Sequence, residues 1–480
     1  MQSQGLKAGR RTFLKRTAGG MVSASTLSLL ASHTAWAQGH NQGINPHAAL
    51  ERGYGPLVRT ADQDGQEILA LPSGFRYVTF GKTGQPLMDG TGLTPRNHDG
   101  MGCFPGPDGI IRLIRNHENR NGAGVSTLGV PHAGTPYDAR AFGGTITMDF
   151  DPAGMRPVRE FVSICGTTVN CSGGLAYRDA GWLTCEETLA DHRQGFSQPH
   201  GYTFLVPASG TAAALPVALK ALGRFAKEAA LADDRTGIVY QTEDAGNNSG
   251  FYRFVPIDAD DLTRGGRLQM LKVADAPGFN GFVGQTLGKL LQCEWVDIEN
   301  PDPALAAGQP SCFAQGRALG GAAFARLEGL YRGEGGSVYF NSTSGGEAQR
   351  GQLWHFRPAG PDRGLLRLVF QSPSSAVLDS PDNLCVTPSG AVLFCEDDAS
   401  GGDNDMHPLA PGITDVNRLI GLSRDGVPFE FAVNVLNDSE FAGACFSPDG
   451  DILFVNVFGG GAPLSGMTCA ITGPWRKGPL

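Results

Sequence analysis

Pro107-Asp108-Gly109-Ile110-Ile111-Arg112-Leu113-Ile114-Arg115-Asn116-His117-Glu118 reads as a tight polar turn, a hydrophobic run and a terminal cluster of oxygen-bearing side chains. The chain says this phrase six times. Asp179-Ala180-Gly181 leads through residues 182–185 to Glu186-Glu187, and residues 234–237 lead through 238–240 to Glu243-Asp244. Residues 334–336 lead through 338–340 to Asn341, Pro388-Ser389-Gly390 leads to Glu396-Asp397-Asp398, and Pro448-Asp449-Gly450 leads to Asn456. Most copies are separated by roughly 55 to 70 residues, the length of a four-stranded blade with long loops. Strands repeated at that period predict an all-β fold, a six-bladed β-propeller, whose symmetry aims equivalent strand ends at one central channel.

Each turn is preceded by a second half of the phrase, an acid or amide that opens the preceding strand. These openers are His98-Asp99-Gly100, Asn170-Cys171-Ser172-Gly173, Glu228, Glu328-Gly329, Asp382-Asn383 and Glu440. A hairpin brings its two outer ends together, so each blade offers one group before its hairpin and one after it on the same face. For any single position, Asp, Asn and Gly at a strand end are ordinary turn chemistry. Six in register are not. A ring of such pairs supplies the six to eight oxygens that each Ca²⁺ ion wants.

Gly9-Arg10-Arg11-Thr12-Phe13-Leu14-Lys15 matches the twin-arginine export pattern, a mildly apolar stretch follows, and Ala35-Trp36-Ala37 is a small-x-small cleavage site. The expected organisation is a signal peptide over 1–37 and one propeller over 38–480, handed to the twin-arginine machinery and delivered to the periplasm or outside the cell. The apolar stretch is too short and too rich in Ser and Thr for a stable membrane span. The ten cysteines show no CxxC pair and no zinc-finger spacing. An oxidising compartment permits cross-strand disulfides Cys171–Cys185 and Cys385–Cys395, whereas folding before export favours buried free thiols.

The 480 residues include 69 Gly and 31 Pro and are only 18% charged, as suits a loop-rich, ordered β protein. Formal charge −9 and the lack of a basic block after the signal argue against nucleic acid or anionic membrane as a partner. Residues 275–320 interrupt the rhythm and read as an insertion with a helix near 284–291.

Several motifs together resemble the PhoX family of secreted alkaline phosphatases. They are Arg115-Asn116-His117-Glu118, Asn170-Cys171-Ser172-Gly173-Gly174, Trp182-Leu183-Thr184-Cys185-Glu186-Glu187, His200-Gly201-Tyr202, Gly223-Arg224-Phe225, Ser380-Pro381-Asp382-Asn383-Leu384 and Phe446-Ser447-Pro448-Asp449-Gly450. The resemblance implies hydrolysis of a small phosphorylated substrate at a central cluster of calcium, with ferric iron as a further ion. It casts Glu187, Glu328 and Glu440 as cluster carboxylates and Asn116 as a phosphate-contacting amide; the repeat adds Asp99, Glu118, Glu243 and Asp382 as metal ligands. Arg115, Arg326 and Lys227 are the candidates for a cationic clamp on the anion. The chain departs from the family at Ala245–Gly250, where an Arg-Phe-Glu stretch is usual, and at Lys227, where a His is usual. Such sites also carry an iron-ligating thiolate, and the motifs assign that role to neither Cys165 nor Cys171. Two other readings stay open: a metal-stabilised propeller that only binds a ligand or partner, and a different calcium propeller hydrolase such as a lactonase or diesterase.

Overall fold

The computed structural model describes residues 53–397, 405–460 and 462–480. The signal-peptide reading and the proposed mature start lie outside them, as do residues 398–404, Asp398 of the repeated phrase among them. Among the described residues, 26 strands form five antiparallel sheets, accompanied by a single α-helix. A tight turn that overlaps the polar stretch of the repeated phrase closes three hairpins. Its middle residue is left-handed at Asp108, Arg178 and Gly335, with φ of 53°, 54° and 68°.

The hairpins begin with strands His98–Pro105, Asn170–Leu175, Lys227–Ala232, Leu327–Arg332, Pro381–Val386 and Phe441–Phe446. These six pack side by side in cyclic order, and the last meets the first. That closed ring is the inner wall of a β-propeller. Closure is fixed by interlocked chain ends: Arg76–Phe80 pairs with Met467–Thr472 and completes the last sheet. Large apolar side chains fill the space between neighbouring blades, as Phe431, Phe441, Leu453 and Val455 do near the closure. Their burial supplies the main stabilising term.

Each inner strand carries a β-bulge in the same place. Between His98 and Met101, Asn170 and Gly173, Lys227 and Ala230, Leu327 and Leu330, and Pro381 and Leu384, two residues stand opposite one. The sixth bulge lies between Ala442 and Cys445. A bulge breaks strict alternation and re-aims a side chain. In five blades the first bulged residue is Asp99, Cys171, Glu228, Glu328 or Asp382. These are the openers of the repeated phrase.

The region 275–320 departs from expectation in detail. Residues 284–290 form bends and a turn rather than a helix, because Gly284 and Gly288 adopt φ of +73° and +75°. The helix lies later, at Cys312–Ala318, with the Ser311 hydroxyl accepting from the Ala314 amide. Strand Leu291–Asp297 pairs with Gly266–Val273 on one side and Gly364–Gln371 on the other, joining two blades into one nine-stranded sheet.

Candidate metal centre

One end of the central channel opens into a cavity of about 450 Å³ lined by Asp99, Glu118, Cys171, Glu187, Glu328, Asp382, Asp397 and Glu440, with Arg120 and Arg326 among them. Strand parity decides which acid of each phrase reaches it. Successive side chains of a strand point to opposite faces, so in each acid pair the first residue turns back into its blade and the second faces the axis. Glu186 accepts from the Gly201 and Tyr202 amides and from His200; Glu187 lines the cavity. Glu396 is held by Arg418 and the Asp379 amide, while Asp397 lines the cavity.

The same parity governs Glu243 and Asp244. Glu243 receives a 2.5 Å hydrogen bond from the Tyr252 hydroxyl and another from the Gly250 amide, behind the wall rather than at it. Asp244 instead reaches the cavity residue Arg326 at 3.1 Å. Of the metal ligands expected from sequence, the structure therefore brings together Asp99, Glu118, Glu187, Glu328, Asp382 and Glu440, and it leaves Glu243 outside.

The anion-contacting candidates divide in the same way. Asn116 is wholly buried: its amide nitrogen donates to the Cys171 and Ser172 carbonyls at 2.8 and 2.7 Å, and its oxygen accepts from Trp182 Nε1 and the Thr184 hydroxyl. It ties its blade to the bulge of the next one rather than facing the channel mouth. Asn456 does the same to the Asp99 carbonyl, Asn341 to the Asp382 carbonyl, and Thr242 to the Glu328 carbonyl. Arg115 points away from the cavity and across the closing seam to the last blade, where it donates to the Thr468 hydroxyl and the Gly81 carbonyl. Lys227 is buried against the Phe225 ring and bonds Gln241 and the Leu222 carbonyl; burial lowers its ammonium to about 7. Arg326 alone of the three cations is at the cavity, bonded to Asp244 and Glu328.

The ligands named from sequence omit Cys171 and Glu228, although both open the repeated phrase, and Arg120 is not singled out at all. Ligand atoms of Asp99, Glu118 and Cys171 lie within 4.8 Å of one another, and so do those of Cys171, Glu187 and Glu228. Cys171 belongs to both groups. Its position at the second bulge, equivalent to Asp99 and Glu328 in theirs, was the available signal. Arg120 stands two residues past Glu118 and bonds both Glu118 and Glu187.

The electrostatics show what this arrangement lacks. Burial, reinforced by the neighbouring carboxylates, raises Glu118, Glu228, Glu328 and Asp382 well above the usual carboxylate range and lifts Asp99 to about 7. Burial and the same carboxylates raise the Cys171 thiol. Two guanidiniums are too few counter-charges for so many acids. Glu228 Oε1 and Asp382 Oδ1 are buried with no hydrogen-bond partner among the described residues. Orphaned buried oxygens are costly, and cations satisfy them. A thiol between two carboxylate groups, beside a carboxylate-only arc, fits a mixed set of metal ions.

Comparison with known proteins identifies the family and the fold. The family model for alkaline phosphatase PhoX matches residues 52–461. No curated protein matches the chain. Among solved structures, Pseudomonas fluorescens PhoX in complex with vanadate, a transition state analogue, has 20% identity and a TM-score of 0.64, covering 88% of this chain and 98% of that one. A gluconolactonase from Xanthomonas campestris has 10% identity and a TM-score of 0.37, covering 88% of this chain and 98% of its own. No helix among the described residues is long and apolar enough to cross a membrane.

Proposed function

The chain belongs to the PhoX family of alkaline phosphatases, and from that premise we propose that it is an exported phosphomonoesterase whose metals are held by the axial ring. The observation that carries the reading is the shared role of Cys171, whose sulfur lies within 4.8 Å of the carboxylate oxygens of two separate sets, Asp99 with Glu118 and Glu187 with Glu228. Thiolate is a soft ligand that favours iron over calcium. We assign the ferric iron that the family resemblance implies to the groups built from Asp99, Glu118, Cys171, Glu187 and Glu228, where the thiol argues against calcium. Calcium, which prefers carboxylate oxygen, belongs with Glu328, Asp382 and Glu440. Bound there, such ions would polarise a phosphoryl oxygen and lower the pKa of bound water.

The remaining chemistry falls to this chain's own side chains. Arg120, the more exposed of the two, is positioned by Glu118 and Glu187 so that its free guanidinium edge faces incoming anion. Arg326, held by Asp244 and Glu328, offers a second planar donor. Together they suit the oxygens of a phosphomonoester. Asn116 and its equivalents hold the bulge backbones, keeping the carboxylates and Cys171 aimed inward. Glu186, Glu243 and Glu396 clamp the far ends of the second strands.

Export through the twin-arginine pathway is proposed on the motif at residues 9–15, since the ring must be loaded in a folded chain. The test is turnover of p-nitrophenyl phosphate by the purified mature chain before and after chelation, with metal analysis of the same sample. Chelation should abolish activity and release metal together. A protein that retains its metals yet turns over neither phosphomonoesters nor phosphodiesters is a binding propeller, and the proposal fails.

A further inference from the structure

The opposite end of the channel is chemically distinct. Gly102, Leu231, Leu330, Tyr331, Leu384 and Phe446 line it, and two thiols stand among them: Cys103 on inner strand His98–Pro105 and Cys445 on inner strand Phe441–Phe446. These strands belong to the first and last blades, so the pair straddles the seam where the ring closes. The backbones approach closely there. Gly443 adopts φ +63°, and a Cβ on it would meet the Asp99 carbonyl at 2.5 Å and Met101 Cβ at 2.9 Å. Two residues further along each strand, the Cys445 and Cys103 side chains pack in one cluster and line the same cavity, near enough for the Cys103 thiol to raise that of Cys445. All ten cysteines are free thiols here, nine of them buried and Cys103 partly exposed.

We infer that Cys103 and Cys445 form a disulfide site, a reversible clasp across the propeller's closing seam. It is separate from the metal-holding end and uses neither Cys171 nor any carboxylate. The co-reactant is a low-molecular-weight or protein disulfide of the kind an oxidising compartment supplies. The partly exposed Cys103, as thiolate, attacks one sulfur of that disulfide; the S–S bond breaks and the first oxidant thiolate leaves. The Cys445 thiolate then attacks Cys103 Sγ, the mixed disulfide breaks, and the second oxidant thiolate leaves. The oxidant gains two electrons and the two protons that the protein thiols give up.

The link would join positions far apart in sequence, and long loops constrain the unfolded chain most. The test compares the purified chain, fully reduced and after incubation with oxidised glutathione. Each sample is denatured with chelator and alkylating agent, its free thiols are counted by intact mass, and its peptides are mapped. The inference predicts ten thiols falling to eight, with Cys103 and Cys445 linked. It also predicts a rise in unfolding temperature of about 2–6 °C, reversed by dithiothreitol. C103A should keep all nine remaining thiols under the same treatment, and C445A, which lacks the resolving thiol, should form no internal link and carry at most a glutathione adduct on Cys103. In the parent chain, ten thiols after oxidation, a glutathione adduct left on Cys103, or a link between other cysteines would overturn it.

Discussion

Asn116→Ala separates two roles that the side chain could play. In the structure its amide makes four hydrogen bonds, to the Cys171 and Ser172 carbonyls and from Trp182 and Thr184, and none to the cavity. Removing it orphans buried groups that cost about 1–3 kcal/mol each. Thr184 can turn its hydroxyl elsewhere and water can enter the space left, which brings the expected loss to about 4 kcal/mol. Unfolding entropy of about 2.1 cal/mol/K per residue gives roughly 1 kcal/mol/K for a chain this long, hence a fall of about 4 °C in Tm. Calorimetry of the metal-loaded protein reads this shift, and steady-state kinetics on a phosphomonoester reads KM in the same preparation. The structural role predicts the lower Tm with KM unchanged. A phosphate-contacting role predicts the reverse: an undisturbed Tm and a KM raised about tenfold or more, as loss of a charge-assisted hydrogen bond would give. That second outcome would refute the parity argument.

Glu228→Gln removes one buried charge from a crowded set, so its effect should change sign with metal. In chelator the variant should unfold at a temperature equal to or above that of the parent chain, and with metals restored below it; scanning calorimetry in both conditions checks this. Arg120→Ala should lower kcat/KM by about 10- to 100-fold and weaken inhibition by inorganic phosphate, while leaving metal content intact. For the metal-free chain, the folded state raises Asp99 to about 7 and Glu118, Glu228, Glu328 and Asp382 well above the usual range. The folded form therefore binds more protons than the unfolded one, and stability must fall as pH rises. Its Tm should decline between about pH 5 and pH 8, whereas the metal-loaded Tm should hold over the same range.

The all-β propeller and the convergence of its strand ends were legible because period and turn chemistry are local properties of sequence. The repeated acids at 99, 118, 187, 328, 382 and 440 followed from the same register. What sequence could not resolve was parity. Glu243 and Asp244 are adjacent acids, and which one faces the axis depends on where the strand's pairing with Lys227 begins. Asn116 was misleading for a related reason: an amide opposite a bulge satisfies the next blade's backbone, a contact between segments 55 residues apart. Cys171 was hidden by residue type. It occupies a bulge where four of the other blades carry an acid, and only the shared bulge geometry reveals the equivalence. The helix expected at 284–291 failed because two glycines there take left-handed turns.

The central claim is that cations sit on the propeller axis between Cys171 and the surrounding acids. Anomalous diffraction from crystals of the protein, collected at the iron and calcium edges, tests it most directly. The account predicts iron within bonding distance of Cys171 Sγ and calcium nearer Glu328, Asp382 and Glu440, both lost in chelator together with turnover. A fully active protein with no anomalous density in that cavity, or with its metals bound on the outer surface, would contradict it.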